Sequence, residues 1–334
     1  MKKITIIIFL LISLSLSSQN KNIKEASICY NIEKLSSDEF LGREAGQEGE
    51  AIAAEHIKNF FIVNKVSKIG HSYFQEFTIK GKRYGHKNKK TKKTLIEKGK
   101  YKNNKIKGKN VIGFIEGGEK KDEVIVLSAH YDHLGVSGEE IYNGADDNGT
   151  GVAAILEISK ALSEHVEQGG ELKRSVLFIL TSAEEKGLLG SKYYTKHPRV
   201  SLKKTVACLN IDMIGRMDEH HKNNNYIYII GSNFISDDLH EINELNNKKV
   251  GLELDYRYNT IEDPNRFYFR SDHYNFAKND IPSIFYFSGV HEDYHQPTDV
   301  FEKVDCGKVE KVSQLIFLNT LTIANKETGL KKNK

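Results

Sequence analysis

From Glu123 onward the chain alternates between two patterns: short apolar runs rich in β-branched residues, and longer segments whose apolar positions recur every three or four residues. The first pattern predicts buried strands at 123–130, 174–181, 205–212, 226–231, 252–258 and 281–287. The second predicts helices at 150–165, 185–196, 235–248, 272–279 and about 306–326. Upstream, Ile23 to Leu35 and Glu48 to Phe61 read as helices, and Tyr73 to Lys80 and Asn110 to Glu116 as strands. Such alternation predicts an α/β fold: a mainly parallel mixed sheet sandwiched between helices. No internal repeat interrupts it and no linker divides it, so one domain over 22–330 is expected.

Polar chemistry gathers where these strands end. SAHYDHLGVSGEEIYNGADDNGTG, Ser128 to Gly151, puts His130 and Asp132 after one strand and Asp146 and Asp147 just before the next helix. RSVLFILT empties into SAEEKGLLGS with Glu184 and Glu185; TVACLNID ends in Asp212; and after IPSIFYFS the loop GVHEDYHQPTD carries His295 and, four residues on, Asp299. Ligands of open α/β sheets bind at the carboxyl ends of strands. Imidazoles and carboxylates are a donor set that suits zinc. Any one of these residues has an ordinary structural explanation, such as a helix-favouring glutamate or a turn-capping aspartate. Their recurrence at successive strand ends points to a common site. One bridging carboxylate plus a histidine and a terminal carboxylate per ion gives two three-ligand sites, with a further carboxylate left to move a proton.

Charge and cysteines refine the picture. The formal net charge is +4, yet Lys80 to Lys109 holds fourteen Lys or Arg against one Glu. Without that segment and the two lysines at positions 2 and 3, the remainder carries −11. An acidic body favours cationic peptide amines. The basic segment has few aromatics and no nucleic-acid motif, which excludes nucleic acid as an expected partner. It reads as a solvated loop or hairpin, adhesion to an acidic surface being the sharper alternative. Lys2 and Lys3 followed by the apolar run Ile4 to Leu16 and then Ser17 and Ser18 read as a secretory signal peptide over residues 1–18. A secreted or periplasmic protein is expected, without stable membrane insertion after cleavage, an uncleaved amino-terminal anchor being the alternative. Three cysteines make no disulfide framework; Cys208 lies in an apolar strand, and pairing of Cys29 with Cys306 is left open.

Taken together, AHYDHLG, NGADDNGTG, AEEKGLLGS, NIDMIG, RSDHYNF and YHQPTD resemble metallopeptidase family 28, the secreted co-catalytic dizinc aminopeptidases, from about Leu35 to the final helix. The resemblance implies a zinc exopeptidase fold binding two zinc ions and acting on peptides, with a monomer expected. It makes Asp146 the bridging ligand, His130 and Asp212 the rest of one site, and Glu185 and His295 the rest of the other. It makes Glu184 the general base, with Asp132, Asp147 and Asp299 in support: Asp132 orients His130 and Asp299 orients His295. It also implies a cis peptide bond between Asp146 and Asp147, an oxyanion donor at Tyr294 and a substrate contact at Arg270. Hydrolysis of the amino-terminal peptide bond is the leading expectation. Glutaminyl cyclase, a single-zinc acyltransferase on a similar fold, is the alternative, but those enzymes use tryptophan around the site and this chain has none. Carboxypeptidase activity is the other, with Arg270 the one candidate for a terminal carboxylate.

Overall fold

A computed structural model describes residues 23–80 and 105–333. The proposed signal peptide, and most of the lysine-rich segment, lie outside the described residues. The strands are β1 (Phe74–Lys80), β2 (Lys105–Ile115), β3 (Lys120–His130), β4 (Gly135–Ser137), β5 (Glu140–Tyr142), β6 (Arg174–Thr181), β7 (Thr205–Ile211), β8 (Tyr226–Ile230), β9 (Glu253–Asp255) and β10 (Ser283–Phe287). The helices are α1 (Glu25–Leu35), α2 (Glu48–Val63), α3 (Gly151–Glu167), α4 (Leu189–Lys196), α5 (Asp237–Val250), α6 (His273–Ala277) and α7 (Cys306–Asn325).

Eight strands form one sheet in the order β1-β2-β6-β3-β7-β10-β8-β9. Its centre, β6-β3-β7-β10, is parallel throughout, while β1-β2, β2-β6 and β10-β8 are antiparallel. Central parallel strands must be apolar on both faces because helices cover both. Every residue of β6 is accordingly buried. One face packs against α1, α2, α3 and α7 through residues such as Ile32, Phe61, Ile155 and Phe317. The other meets Tyr194 of α4 and Phe276 of α6.

Most element boundaries match the pattern-based expectation within a few residues. One difference matters for function. The helix expected from 185 begins only at Leu189. Residues 184–188 form a turn in which the Glu184 carbonyl accepts from the Gly187 and Leu188 amides. Positive φ at Ala183 (58°) and Leu188 (57°) interrupts the helical path. Strand β1 pairs with β2 from Phe74 opposite Val111 to Lys80 opposite Lys105, so ordered strand extends into both ends of the lysine-rich segment.

Helix α7 starts at an N-cap, Asp305, whose side chain accepts from the Lys308 amide at 3.0 Å. Cys306, the next residue, is joined by a disulfide to Cys29 of α1, with Cα atoms 5.6 Å apart and 277 positions between them in sequence. The pairing left open by the sequence is therefore made. Cross-linking residues this far apart restricts the unfolded chain strongly. Replacing both cysteines by serine should lower unfolding free energy by about 2–5 kcal/mol, and a denaturant titration showing no change in midpoint would contradict this.

Candidate metal centre

His130 ends β3, and Asp212, the Glu184–Glu185 pair and His295 follow β7, β6 and β10, the other three central parallel strands, so they meet at one end of those strands. His130 Nε2 lies 3.2 Å from Asp212 Oδ1 and 3.3 Å from Asp147 Oδ1. His295 Nε2 lies 3.2 Å from Asp147 Oδ2 and 3.2 Å from Glu185 Oε2. A single carboxylate, that of Asp147, thus faces both groups.

The geometry corrects the bridging assignment. Asp146 turns away: its Oδ1 accepts from the Gly215 amide at 2.7 Å and the Thr150 hydroxyl at 3.0 Å, and its Oδ2 faces His291 Nε2 at 3.2 Å. The cis peptide bond also falls one residue later than expected, between Asp147 and Asn148. Adjacent acids in an irregular turn point in different directions, and only the turn geometry decides which one faces the site.

Two supporting roles differ as well. Asp299 does not reach His295. Its carboxylate accepts from the backbone amides of Asp146, at 3.1 and 3.2 Å, and Asp147, at 3.1 Å, fixing the turn that aims Asp147. His130 Nδ1 is 3.0 Å from the Asp132 carbonyl oxygen but 3.9 Å from its carboxylate, which instead accepts from the Glu184 amide at 3.0 Å. Asp132 therefore orients His130 through its backbone and Glu184 through its side chain.

The sequence reading missed several residues. His133 is fully buried, with Nδ1 3.0 Å from Glu185 Oε1 and 3.8 Å from Asp147 Oδ2; its signal was a second imidazole three places after His130 in AHYDHLG. Ser271 donates to Asp212 Oδ2 at 2.7 Å, receives a hydrogen bond from Asn210 at 2.8 Å, and so continues a buried chain to Ser128. Arg43 is buried and donates to the carbonyls of Leu35, Tyr131, Asn143 and Gly144. It clamps the loops of His130 and Asp147 together.

The protein's own charges are strongly coupled. Burial alone would lower the His130 imidazole, yet Asp212 and Glu184 hold it well above its ordinary value. Burial would raise Asp147, but His130 and His295 hold it well below the usual carboxylate range. Glu184 is pushed well above it, mainly by burial, against the pull of His130. Backbone strain collects here too, with positive φ at Ala183 before Glu184, at Met213 after Asp212, and at His295 itself. Such conformations cost about 1–3 kcal/mol each and persist where surrounding structure enforces them.

This donor set fits metal. One ring N–H serves two carboxylate oxygens at once only by sharing itself between them, whereas a cation between the groups accepts the nitrogen and both oxygens as ligands. His130, Asp147 and Asp212 could hold one ion, and Asp147 with Glu185 and the neighbouring imidazoles a second. The groups border a cavity of about 40 Å³ that the apolar side chains of Met213, Phe267, Phe285, Phe287 and Val290 also line. Arg270 and Tyr294 share its rim, the Arg270 guanidinium donating to the Tyr294 hydroxyl at 3.2 Å.

The whole architecture is that of known aminopeptidases. The LapA aminopeptidase of Legionella pneumophila superposes with a TM-score of 0.70 at 20% identity, covering 95% of this chain and 75% of that one. A zinc aminopeptidase from Bacillus subtilis gives 0.68 at 18% identity, covering 92% and 97%. In sequence, a probable leucine aminopeptidase of Arthroderma otae is 31% identical over 215 residues, 62% of this chain and 56% of that protein. Aminopeptidase YwaD of Bacillus subtilis is 26% identical over 215 residues, 62% and 43%. The chain thus spans about half the length of the curated relatives it matches. Residues 110–320 match peptidase family M28, a stretch that contains every residue of the cluster, and the chain belongs to that family.

The corrected geometry separates two neighbouring acids. Asp147→Asn should reduce zinc uptake at both positions, whereas Asp146→Asn, which keeps an oxygen for Gly215 and Thr150, should retain it within about tenfold. Zinc content after dialysis measures this, and the opposite ranking would restore Asp146 as the bridge.

Proposed function

We propose that the protein is a dizinc metallo-aminopeptidase that hydrolyses the amino-terminal bond of peptides. The observation that carries this reading is the Asp147 carboxylate facing two imidazole–carboxylate groups, with Glu184 lining the same cavity. The names of the M28 relatives and of the structural neighbours support the same class.

His130, Asp147 and Asp212 would hold one zinc, and Asp147, Glu185 and His295 the other. When bound, the ions supply Lewis-acid activation of water and of the scissile carbonyl. Glu184 takes the proton from the attacking water and passes it to the leaving amine. Burial raises its carboxyl well above the ordinary value, against the pull of His130. Burial, together with Asp147 and Glu185, also keeps the Tyr294 phenol protonated by raising it well above its usual range. Tyr294 is therefore a donor for the oxyanion that develops at the carbonyl, and the Arg270 contact polarises its hydroxyl. The apolar lining receives an apolar amino-terminal side chain.

The same reading places the protein outside the cytoplasm after removal of residues 1–18, acting as a monomer. The Cys29–Cys306 disulfide supports an oxidising compartment. No helix among the described residues is long and apolar enough to cross a membrane.

Wild-type protein should hydrolyse leucyl-nitroanilide and lose that activity to a chelator, with zinc restoring it. Glu184→Gln should keep two zincs per chain by native mass spectrometry while kcat falls about 10²–10⁴-fold. Normal turnover in that variant would remove Glu184 as proton carrier, and chelator-resistant hydrolysis would remove the metals from the reaction.

A further inference from the structure

The two terminal carboxylates of the cluster are held in parallel ways. Asp212 directs Oδ1 at His130 and gives Oδ2 to the Ser271 hydroxyl at 2.7 Å. Glu185 directs Oε2 at His295 and has His133 Nδ1 against Oε1 at 3.0 Å. Unlike His130 and His295, which each face two carboxylate oxygens, His133 Nδ1 has this one carboxylate oxygen within hydrogen-bond reach, which assigns it as the donor, Nδ1–H. The same nitrogen is 3.8 Å from Asp147 Oδ2, outside hydrogen-bond reach.

We infer that His133 is a positioning residue rather than a ligand: its Nδ1–H holds Glu185 so that only Oε2 is offered to the second zinc. This rests on the dizinc reading above. The imidazole has little freedom to do otherwise. Its backbone amide donates to the Arg43 carbonyl at 3.2 Å, and residue 133 forms an isolated bridge with Glu44. Its ring lies against Gly144, where any β-carbon would collide with it, and edge-on to His295 with centroids 5.8 Å apart. Its Nε2 is buried without a hydrogen-bond partner, so the whole polar function of the side chain is spent on Glu185. Fixing one oxygen leaves the other with a single direction, and it removes the rotational freedom a free carboxylate would lose on binding metal.

The test uses substitutions that separate donor from ligand. Asparagine places its amide nitrogen where imidazole Nδ1 lies and can still donate, but an amide is a poor zinc ligand. Alanine removes both roles. Zinc competition with a chromophoric chelator should show that His133→Ala weakens the second zinc about 10–100-fold while leaving the first within about threefold. His133→Asn should recover the second site to within about threefold of wild type. His133→Gln, whose amide sits near the Nε2 position, serves as the loss variant if the alanine cavity unfolds the chain. Equal loss in Asn and in the loss variant would make His133 a ligand and overturn the proposal, as would a loss variant that binds both zincs normally. A wild-type protein that takes up fewer than two zincs overturns the dizinc reading and this assignment with it. Two zincs with the wrong ranking overturn this assignment alone.

Discussion

One shared carboxylate sets the terms for the rest of the structure. Asp147 is buried between two imidazoles that approach its separate oxygens, and two further acids close in from either side. Acidic groups at such spacing repel one another unless cations or imidazolium rings intervene. Holding them in place requires a framework that does not relax, and the surroundings supply it. Asp299 accepts from both amides of the Asp146–Asp147 turn, and Arg43 ties the two nearest loops through four carbonyls.

The sheet explains why the groups converge at all. Four neighbouring parallel strands end on the same side of the sheet; His130, Asp212 and the Glu184–Glu185 pair come at or within four residues of the ends of β3, β7 and β6, and His295 sits in the loop that follows β10. Positive φ at Ala183, Met213 and His295 bends the chain sharply past those ends, so the side chains turn back over them instead of continuing outward. Behind them, the Ser271–Asn210–Ser128 chain roots Asp212 in the buried centre of the sheet. Position is thus inherited from the backbone ladder, and direction from local bends and hydrogen bonds.

That division also marks what could be read from the residues. The strands and most helices follow from periodicity because burial on two faces demands continuous apolar runs, as in RSVLFILT. The positions of His130, Glu184, Glu185, Asp212 and His295 follow from where those runs stop. Choosing between Asp146 and Asp147 does not, because the outcome depends on the irregular turn and on Asp299, more than 150 residues away. Asp132 does contact His130 as expected, but through its backbone carbonyl, while its carboxylate accepts from the Glu184 amide, a division no sequence pattern shows. His133 went unnoticed because a loop has no periodicity to say that positions 130 and 133 face one another's neighbours. Arg43 carries no pattern at all; its importance lies in carbonyls that only the folded chain brings within reach.

The link between Cys29 and Cys306 has a topological consequence. It ties the first described helix to the last, so the polypeptide between them forms a covalently closed ring that contains every member of the cluster. A single cut anywhere in this ring would leave one covalent molecule whose two arms stay tethered. In a protease-rich setting, such a chain could be nicked without shedding either fragment.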